Sequence, residues 1–305
     1  MKKLKIIAVF LVSILMAMSF SACRQNAEEN NDFVIVTSFY PMYVFTKNIT
    51  EGADVEVVNM TKPDTGCLHN YQLLPQDIKT LENADVFVIN GGGMESFMEK
   101  VYENEKDLKV ITACEGIELM EMPNEESGTH EHGEFNSHVW TYIPNAITEI
   151  GNIAEGLCSA DPKNEQIYRE NSKNYIESLE EIHKRFEEEL KDLSGAKIVV
   201  THEAFDYLAD GYGLEVAGHV LSGHEEQASA GEISALAEKI KSENVVALFK
   251  EPQYAQDIIN TLSEETSVPV YELDPMVTGG EDYIGVYEET MLDNLETIKS
   301  ALSSR

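Results

Sequence analysis

The sequence predicts an α/β protein of two lobes, each built on a parallel sheet, joined by one long, rigid linking helix. Three observations carry that expectation. Short β-branched runs alternate with helical patterns along the body of the chain, which is the signature of βαβ units. Apolar residues at Tyr168, Tyr175, Leu179, Ile182, Phe186, Leu190 and Leu193 hold one face of a single helix over about seven turns. After Ser194-Gly195 ends that helix, the alternation resumes.

In the first lobe, residues 33–160, strands are expected at Phe33–Thr37, Val55–Met60, Asp85–Asn90 and Lys109–Thr112. Helices are expected from Pro41, from Pro75 to about Glu82, from Glu95 to Tyr102, and from after Trp140 to about Cys158. Gly91-Gly92-Gly93 reads as a tight turn behind the third strand. Residues 121–137 interrupt the pattern and read as a mobile, acidic loop carrying His130 and His132. The linking segment covers 161–195. The second lobe, 196–305, has strands expected at 196–200, 215–217, 245–249 and 268–273, with helices at 205–210, 231–243, 255–265 and from Tyr287.

The first 32 residues do not belong to the folded body. Lys2, Lys3 and Lys5 precede an apolar run, Ile6 to Phe20, that is short for a membrane span. Small residues then lead into Cys23, so 1–22 resembles a bacterial lipoprotein signal peptide with Cys23 as the lipidated residue; plain secretion with nearby cleavage is the alternative. Two acyl chains there would anchor the protein stably outside the cytoplasm. Residues 23–32 read as a flexible tether.

The formal charge of −33 over 305 residues argues against nucleic acid and anionic phosphates as partners and favours attraction of cations, although a solvated acidic surface needs no function. Cys67, Cys114 and Cys158 remain after Cys23. Their odd number and irregular spacing make no disulfide framework, and no Cys-x-x-Cys pair suggests a zinc ribbon or redox centre; whether two of them pair is left open.

Chemistry enters through four side chains. His69 follows the second strand, His138 follows the acidic loop, and His202 ends the strand Lys197–Val200. Asp274 ends the last strand. Carboxyl ends of strands face the ligand crevice in open α/β sheets, so these positions point toward one place. Three imidazoles and a carboxylate, two from each lobe, make a candidate metal site in the interlobe cleft.

The motifs around these residues are family-like. His69 and Tyr71, Pro75-x-Asp77, the Gly91–Gly93 turn, His138-Val139-Trp140, Thr201-His202-x-Ala204-Phe205-x-Tyr207-Leu208 with Tyr212-Gly213-Leu214, and Leu273-Asp274-Pro275 occur in that order. The chain resembles the metal-binding solute-binding lipoproteins of bacterial ABC importers, the zinc and manganese group, over nearly its whole mature length. The resemblance implies metal ligands at His69, His138, His202 and Asp274, a linking helix that limits lobe motion, and delivery of the ion to an ABC permease by a monomeric carrier. It also marks two departures. Cys67-Leu68 and Asn136-Ser137 stand where the family usually has an acid and a proline before the first two histidines.

Manganese members resemble this chain but put a carboxylate where His202 stands, so three histidines and one aspartate favour Zn2+. Cys67 is read as a buried or idle thiol in preference to an additional soft ligand. His130 and His132 resemble a shortened histidine-rich loop that collects or hands over zinc, or are an ordinary exposed pair. His183 is expected to be solvated, and His219 and His224 are not expected to ligate. Glu203 either orients His202 or faces solvent.

A manganese carrier of the same family is one alternative. An extracytoplasmic zinc hydrolase is another, but His-Glu-x-x-His, Gly-x-Ser-x-Gly and P-loop patterns are absent. A surface adhesin role for an anchored lobe is not excluded.

Overall fold

The computed structural model describes residues 33–68, 71–98, 101, 108–122, 135–221, 229–254, 256–280 and 283–303. Its strands fall into two four-stranded parallel sheets. In the first, β1 (Phe33–Thr37), β2 (Val55–Asn59), β3 (Val86–Ile89) and β4 (Lys109–Thr112) lie in the order β2-β1-β3-β4. The second repeats it: β5 (Lys197–Val200), β6 (Glu215–His219), β7 (Ala247–Lys250) and β8 (Val270–Glu272) lie in the order β6-β5-β7-β8. In both sheets the order reverses at the first strand. Loops leaving β1 and β3, and likewise β5 and β7, therefore diverge and open a crevice at the carboxyl edge.

The helices are α1 (Tyr40–Thr50), α2 (Pro75–Leu81), α3 (Ile143–Ala160), α4 (Glu165–Leu190), α5 (Asp206–Gly211), α6 (Ala230–Glu243), α7 (Asp257–Thr266) and α8 (Val286–Ser303). The long helix forms where the apolar periodicity placed it. Its 26 residues span about 39 Å, with a 3-10 turn at each end, Pro162–Asn164 and Lys191–Leu193. Tyr168, Tyr175, Leu179, Ile182, Phe186 and Leu190 are buried, and Ser172 fills the step between the two tyrosines. Of the helix expected over 95–102, the described residues show a 3-10 turn at Ser96–Met98 and a helical residue at Val101, while 99, 100 and 102 lie outside them. The buried Glu95 carboxylate accepts from the backbone N–H groups of Asn90 and Gly91, closing the turn behind β3.

Alternate residues of each strand face opposite sides. Ile35 and Val88 join the large central core, whereas Val36 and Phe87 face a smaller cluster under α2. The central core also takes in Trp140, Phe186, Val200, Phe249 and Leu295, so residues from both sheets and from α4 share one apolar interior. Gly91 adopts φ +86°, and a Cβ there would lie 2.5 Å from the Thr112 side chain, so only glycine permits this turn behind β3. No helix among the described residues is long and apolar enough to cross a membrane.

One buried group runs against the apolar pattern of α3. Glu149 is fully buried, and neither carboxylate oxygen has a hydrogen-bond partner among the described residues. Burial first, and the Glu95 carboxylate second, push its pKa well above the carboxylate range, so it is held protonated. A carboxyl whose folded pKa is raised costs stability as pH climbs from its unfolded pKa toward its folded one. Replacing it with the similar-sized, non-ionising methionine removes that cost. Urea unfolding of the metal-free protein should show Glu149→Met more stable than the parent by about 1–3 kcal/mol at mildly alkaline pH, with a smaller difference in mild acid. An equal or lower stability at alkaline pH would count against the placement of this carboxyl.

Candidate metal centre

The site is assembled from three loops, each fixed by hydrogen bonds that its own motif supplies. The loop after β2 carries Cys67. Beyond it, the Asp77 carboxylate accepts from Tyr71 Oη at 2.8 Å and from the Leu74 N–H at 2.7 Å, which ties the loop to the start of α2. This gives the Tyr71 and Pro75-x-Asp77 pattern its physical role. On the other side of the loop, Gly279 N–H donates to the Pro63 carbonyl at 3.0 Å. A Cβ on Gly279 would lie 2.0 Å from the Tyr40 ring, so that close approach also requires glycine.

His138 precedes a 3-10 turn, Val139–Thr141, and is fully buried. Asn136 Oδ1 accepts from the His138 backbone N–H and faces its Nδ1, each at 2.9 Å. Asn136 thus takes the place of the family's acid two residues before this histidine. Asn90 Nδ2 donates to the Ser137 carbonyl at 3.0 Å, and Glu95 in turn holds the Asn90 backbone, so the Gly-rich turn supports His138 from behind.

His202 lies two residues past the end of β5 and is 3% exposed. Its Nδ1 lies 2.6 Å from Glu251 Oε1, and Glu251, which follows β7, is held at its other oxygen by Gln253 Nε2 at 2.8 Å. Glu251, and not Glu203, is therefore the carboxylate on the His202 Nδ1. Glu203 contributes its backbone carbonyl, which accepts from Asn136 Nδ2 at 2.8 Å. β5 and β7 are neighbours at the reversal of strand order, so a residue just past each is placed to meet the other.

These loops bring His138 Nε2 to 3.2 Å from His202 Nε2, with the rings edge to face at a 4.8 Å centroid separation. Cys67 Sγ lies 3.5 Å from the first Nε2 and 3.7 Å from the second. Cys67, His138 and His202 are the one group of three metal-ligating side chains found close together among the described residues. Cys67 is half-buried against both imidazoles, so the expectation of an idle thiol does not describe its surroundings. Both Nδ1 atoms face oxygens that only accept, so each ring donates from Nδ1, and the two Nε2 atoms and Cys67 Sγ turn inward on one another. Three donor atoms converging in a buried space are a place for a cation once their inner protons are displaced.

Desolvation pulls the His202 pKa down, but the Glu251 carboxylate and then Cys67 outweigh it, and the net shift is well above the ordinary 6.5. Asp274 is placed differently. Its backbone N–H and carbonyl are clasped by Asn294 of α8 at 2.9 and 2.8 Å, and its Oδ1 accepts from Met276 N–H at 2.7 Å. Burial raises its pKa. It is not among the clustered donors. His69, His130, His132, His224 and Cys23 lie outside the described residues. His219 Nε2 pairs with Asp206 at 2.8 Å, and His183, expected in solvent, packs against Tyr212 with Nδ1 3.0 Å from its hydroxyl. None of the three cysteines among the described residues is in a disulfide.

The sequence reading missed Glu251 and marked Asn136 only as a departure from the family pattern, without its role on His138. Glu251 left one signal, an acid directly after a strand in Phe249-Lys250-Glu251-Pro252. Asn136 left none beyond its two-residue offset from His138.

The family model described as "ZnuA: Zinc-uptake complex component A periplasmic" matches residues 35–301. The zinc-binding lipoprotein AdcA of Streptococcus pneumoniae is 30% identical over 98% of this chain, which spans only 61% of that relative's length. A crystal structure of Zn(II)-bound AdcA from that organism is similar with a TM-score of 0.75 and 28% identity, covering 89% of this chain and 58% of that one. The high-affinity zinc uptake system protein ZnuA of Bacillus subtilis is 30% identical, covering 92% of both chains. The solute-binding protein FpvC of Pseudomonas aeruginosa in complex with Ni2+ is similar with a TM-score of 0.78 and 27% identity, covering 90% and 97% of the two chains.

Removing the Glu251 charge tests how His202 is held. In Glu251→Gln, burial acts on His202 without its opposing carboxylate, so the His202 pKa should fall in an NMR titration of the metal-free protein. Zinc affinity, read by competition with a chromophoric chelator, should drop about 10- to 100-fold, as loss of an orienting partner does elsewhere. An unmoved His202 titration would show that Glu251 does not set its state.

Proposed function

This chain belongs to the zinc-uptake complex component A family, and on that premise we propose that it is an extracytoplasmic zinc carrier that hands Zn2+ to an ABC permease. The observation that carries the reading is the inward-facing pair of Nε2 atoms, His138 from the first lobe and His202 from the second, 3.2 Å apart. Neither loop makes such a site alone, so the ion is held between the lobes. His69 and Asp274 complete the proposed ligand set. Cys23 carries the lipid anchor, with 1–22 as its signal, 23–32 as tether and the two lobes divided at 161–195. His130 and His132 form an accessory loop that meets the ion before the tight site does.

Zinc is favoured over manganese because imidazole nitrogen suits zinc, whereas manganese suits oxygen-rich sites. The relatives named for zinc support this choice. A carrier also accounts for the donor count better than a hydrolase does. Catalytic zinc keeps an open position for water, whereas the proposed ligand set fills that position with a fourth protein donor.

One zinc per chain, bound without turnover of ester or peptide substrates, is the expected outcome of a combined binding and activity assay. Hydrolysis abolished by chelation would replace the carrier with an enzyme. His202→Ala should lower zinc affinity strongly while leaving the fold intact by circular dichroism. The double replacement of His130 and His132 should leave the tight site nearly untouched.

Affinity should also fall with acidity, because zinc must displace the His202 proton. From the imidazole reference value alone, weakening belongs below about pH 6. The raised His202 pKa moves the start of that loss upward, so affinity should still be climbing as pH passes above the ordinary 6.5. A competition titration flat across that range would contradict it.

A further inference from the structure

The acid that usually precedes the first histidine motif in this family is a cysteine here, and the fold turns that cysteine inward. We propose that Cys67 is a direct thiolate ligand of the bound ion. With His138 and His202 it makes a sulfur-containing site that accepts borderline-to-soft divalent cations and discriminates against manganese. This rests on the carrier reading and adds the class of ion to it.

The distances carry the inference. Zinc bonds are about 2.3 Å to thiolate sulfur and about 2.0–2.1 Å to imidazole nitrogen, in a tetrahedron. One ion with those bonds sets its sulfur and nitrogen donors about 3.6 Å apart and its two nitrogens about 3.3 Å apart. In the structure, Cys67 Sγ stands 3.5 and 3.7 Å from the two Nε2 atoms, and these stand 3.2 Å from each other. All three edges of the donor triangle therefore have the size that a single tetrahedral ion demands.

The surrounding hydrogen bonds agree with this. Asn136 and Glu251 take the Nδ1 proton of each ring, so both Nε2 atoms are turned toward the sulfur and left to the ion once their own protons are displaced. The loop of Cys67 is pinned on both sides, by Gly279 on Pro63 and by Asp77 on Tyr71 and Leu74, so the thiol is carried on a fixed support. On loading, the sulfur–metal bond forms as the S–H bond is lost, and the proton leaves to solvent. The thiolate then cancels one of the ion's two charges inside a buried site. The thiolate leaves one vertex of the tetrahedron, so it takes the place of either His69 or Asp274 in the ligand set proposed above.

The consequence is selectivity. Thiolate selects zinc, cobalt and cadmium over oxygen-seeking manganese, and it does so more sharply than imidazole alone. A carboxylate at the same position would leave the site tolerant of manganese.

Cobalt(II) is the probe. The whole chain, titrated with Co2+, should bind one ion and show sulfur-to-cobalt charge-transfer absorption in the near ultraviolet. In Cys67→Ser that band should vanish while the weaker ligand-field bands of bound cobalt persist. Competition should then show zinc affinity down by at least about 10-fold, with manganese affinity changed less. Cys67→Asp, which keeps a ligand but an oxygen one, should bind cobalt without the band and narrow the preference for zinc over manganese. Cobalt bound by the parent without a charge-transfer band, or a band that survives in Cys67→Ser, would remove the sulfur from the site and leave the carrier standing. Failure of the parent chain to bind zinc or cobalt at all would overturn both.

Discussion

The proposed metal site depends on two imidazoles being kept with their Nε2 atoms together while each donates its Nδ1 proton outward. A neutral histidine donates at one nitrogen and accepts at the other, and nothing in the ring prefers which. Asn136 decides it for His138, and Glu251 decides it for His202. With those oxygens engaged at Nδ1, both Nε2 atoms are kept in the centre, 3.2 Å apart. A proton on His202 and a metal ion compete for that gap, so loading displaces the proton. The Glu251 carboxylate adds a second effect, since it raises the affinity of His202 for protons as well as for metal.

Holding that pair in register is a problem of joining two sheets, and the structure solves it with polar links around a shared apolar core. Trp140 Nε1 donates to the Pro275 carbonyl at 2.8 Å, while the Trp140 carbonyl accepts from Tyr287 Oη at 2.7 Å. Thr141 Oγ1 donates to the Ala204 carbonyl at 2.7 Å. Tyr207 Oη reaches the Asn136 carbonyl at 2.7 Å. Each link joins residues within a few positions of one histidine to residues of the other half. The His138-Val139-Trp140 and Leu273-Asp274-Pro275 motifs, distant in the chain, are thereby two ends of one contact. Phe39 against the Trp140 ring and Phe45 against Tyr287 fill the space behind it.

The fold was largely legible because its signals are local. β-branched runs gave every strand to within two or three residues, and the heptad-like steps of α4 needed no tertiary partner to be read. His202 was legible for a related reason: a strand that stops at a histidine exposes it at the carboxyl edge. Asn136, Glu251 and Cys67 were not, because what makes them matter is a neighbour far along the chain. Asn136 and His138 share a loop, but nothing in two adjacent letters says that one amide will hold both the backbone and the ring of the other residue. Cys67 and His202 are 135 positions apart.

The formal charge of −33 sets the scale on which such details must work. A field of that sign concentrates every cation near the surface, and at physiological salt it fades within about 8 Å. It raises encounter rates for magnesium and calcium as readily as for zinc, so it supplies attraction without choice. Choice has to be made where water is excluded and donors have fixed identity. His138 is fully buried and His202 nearly so, which leaves a hard, strongly hydrated ion little to replace its water shell. Nitrogen donors already disfavour such ions, and a sulfur beside them excludes them further. The acidic surface gathers cations of every kind, and the small cluster beneath it keeps the few whose bonding matches two imidazoles and a thiolate.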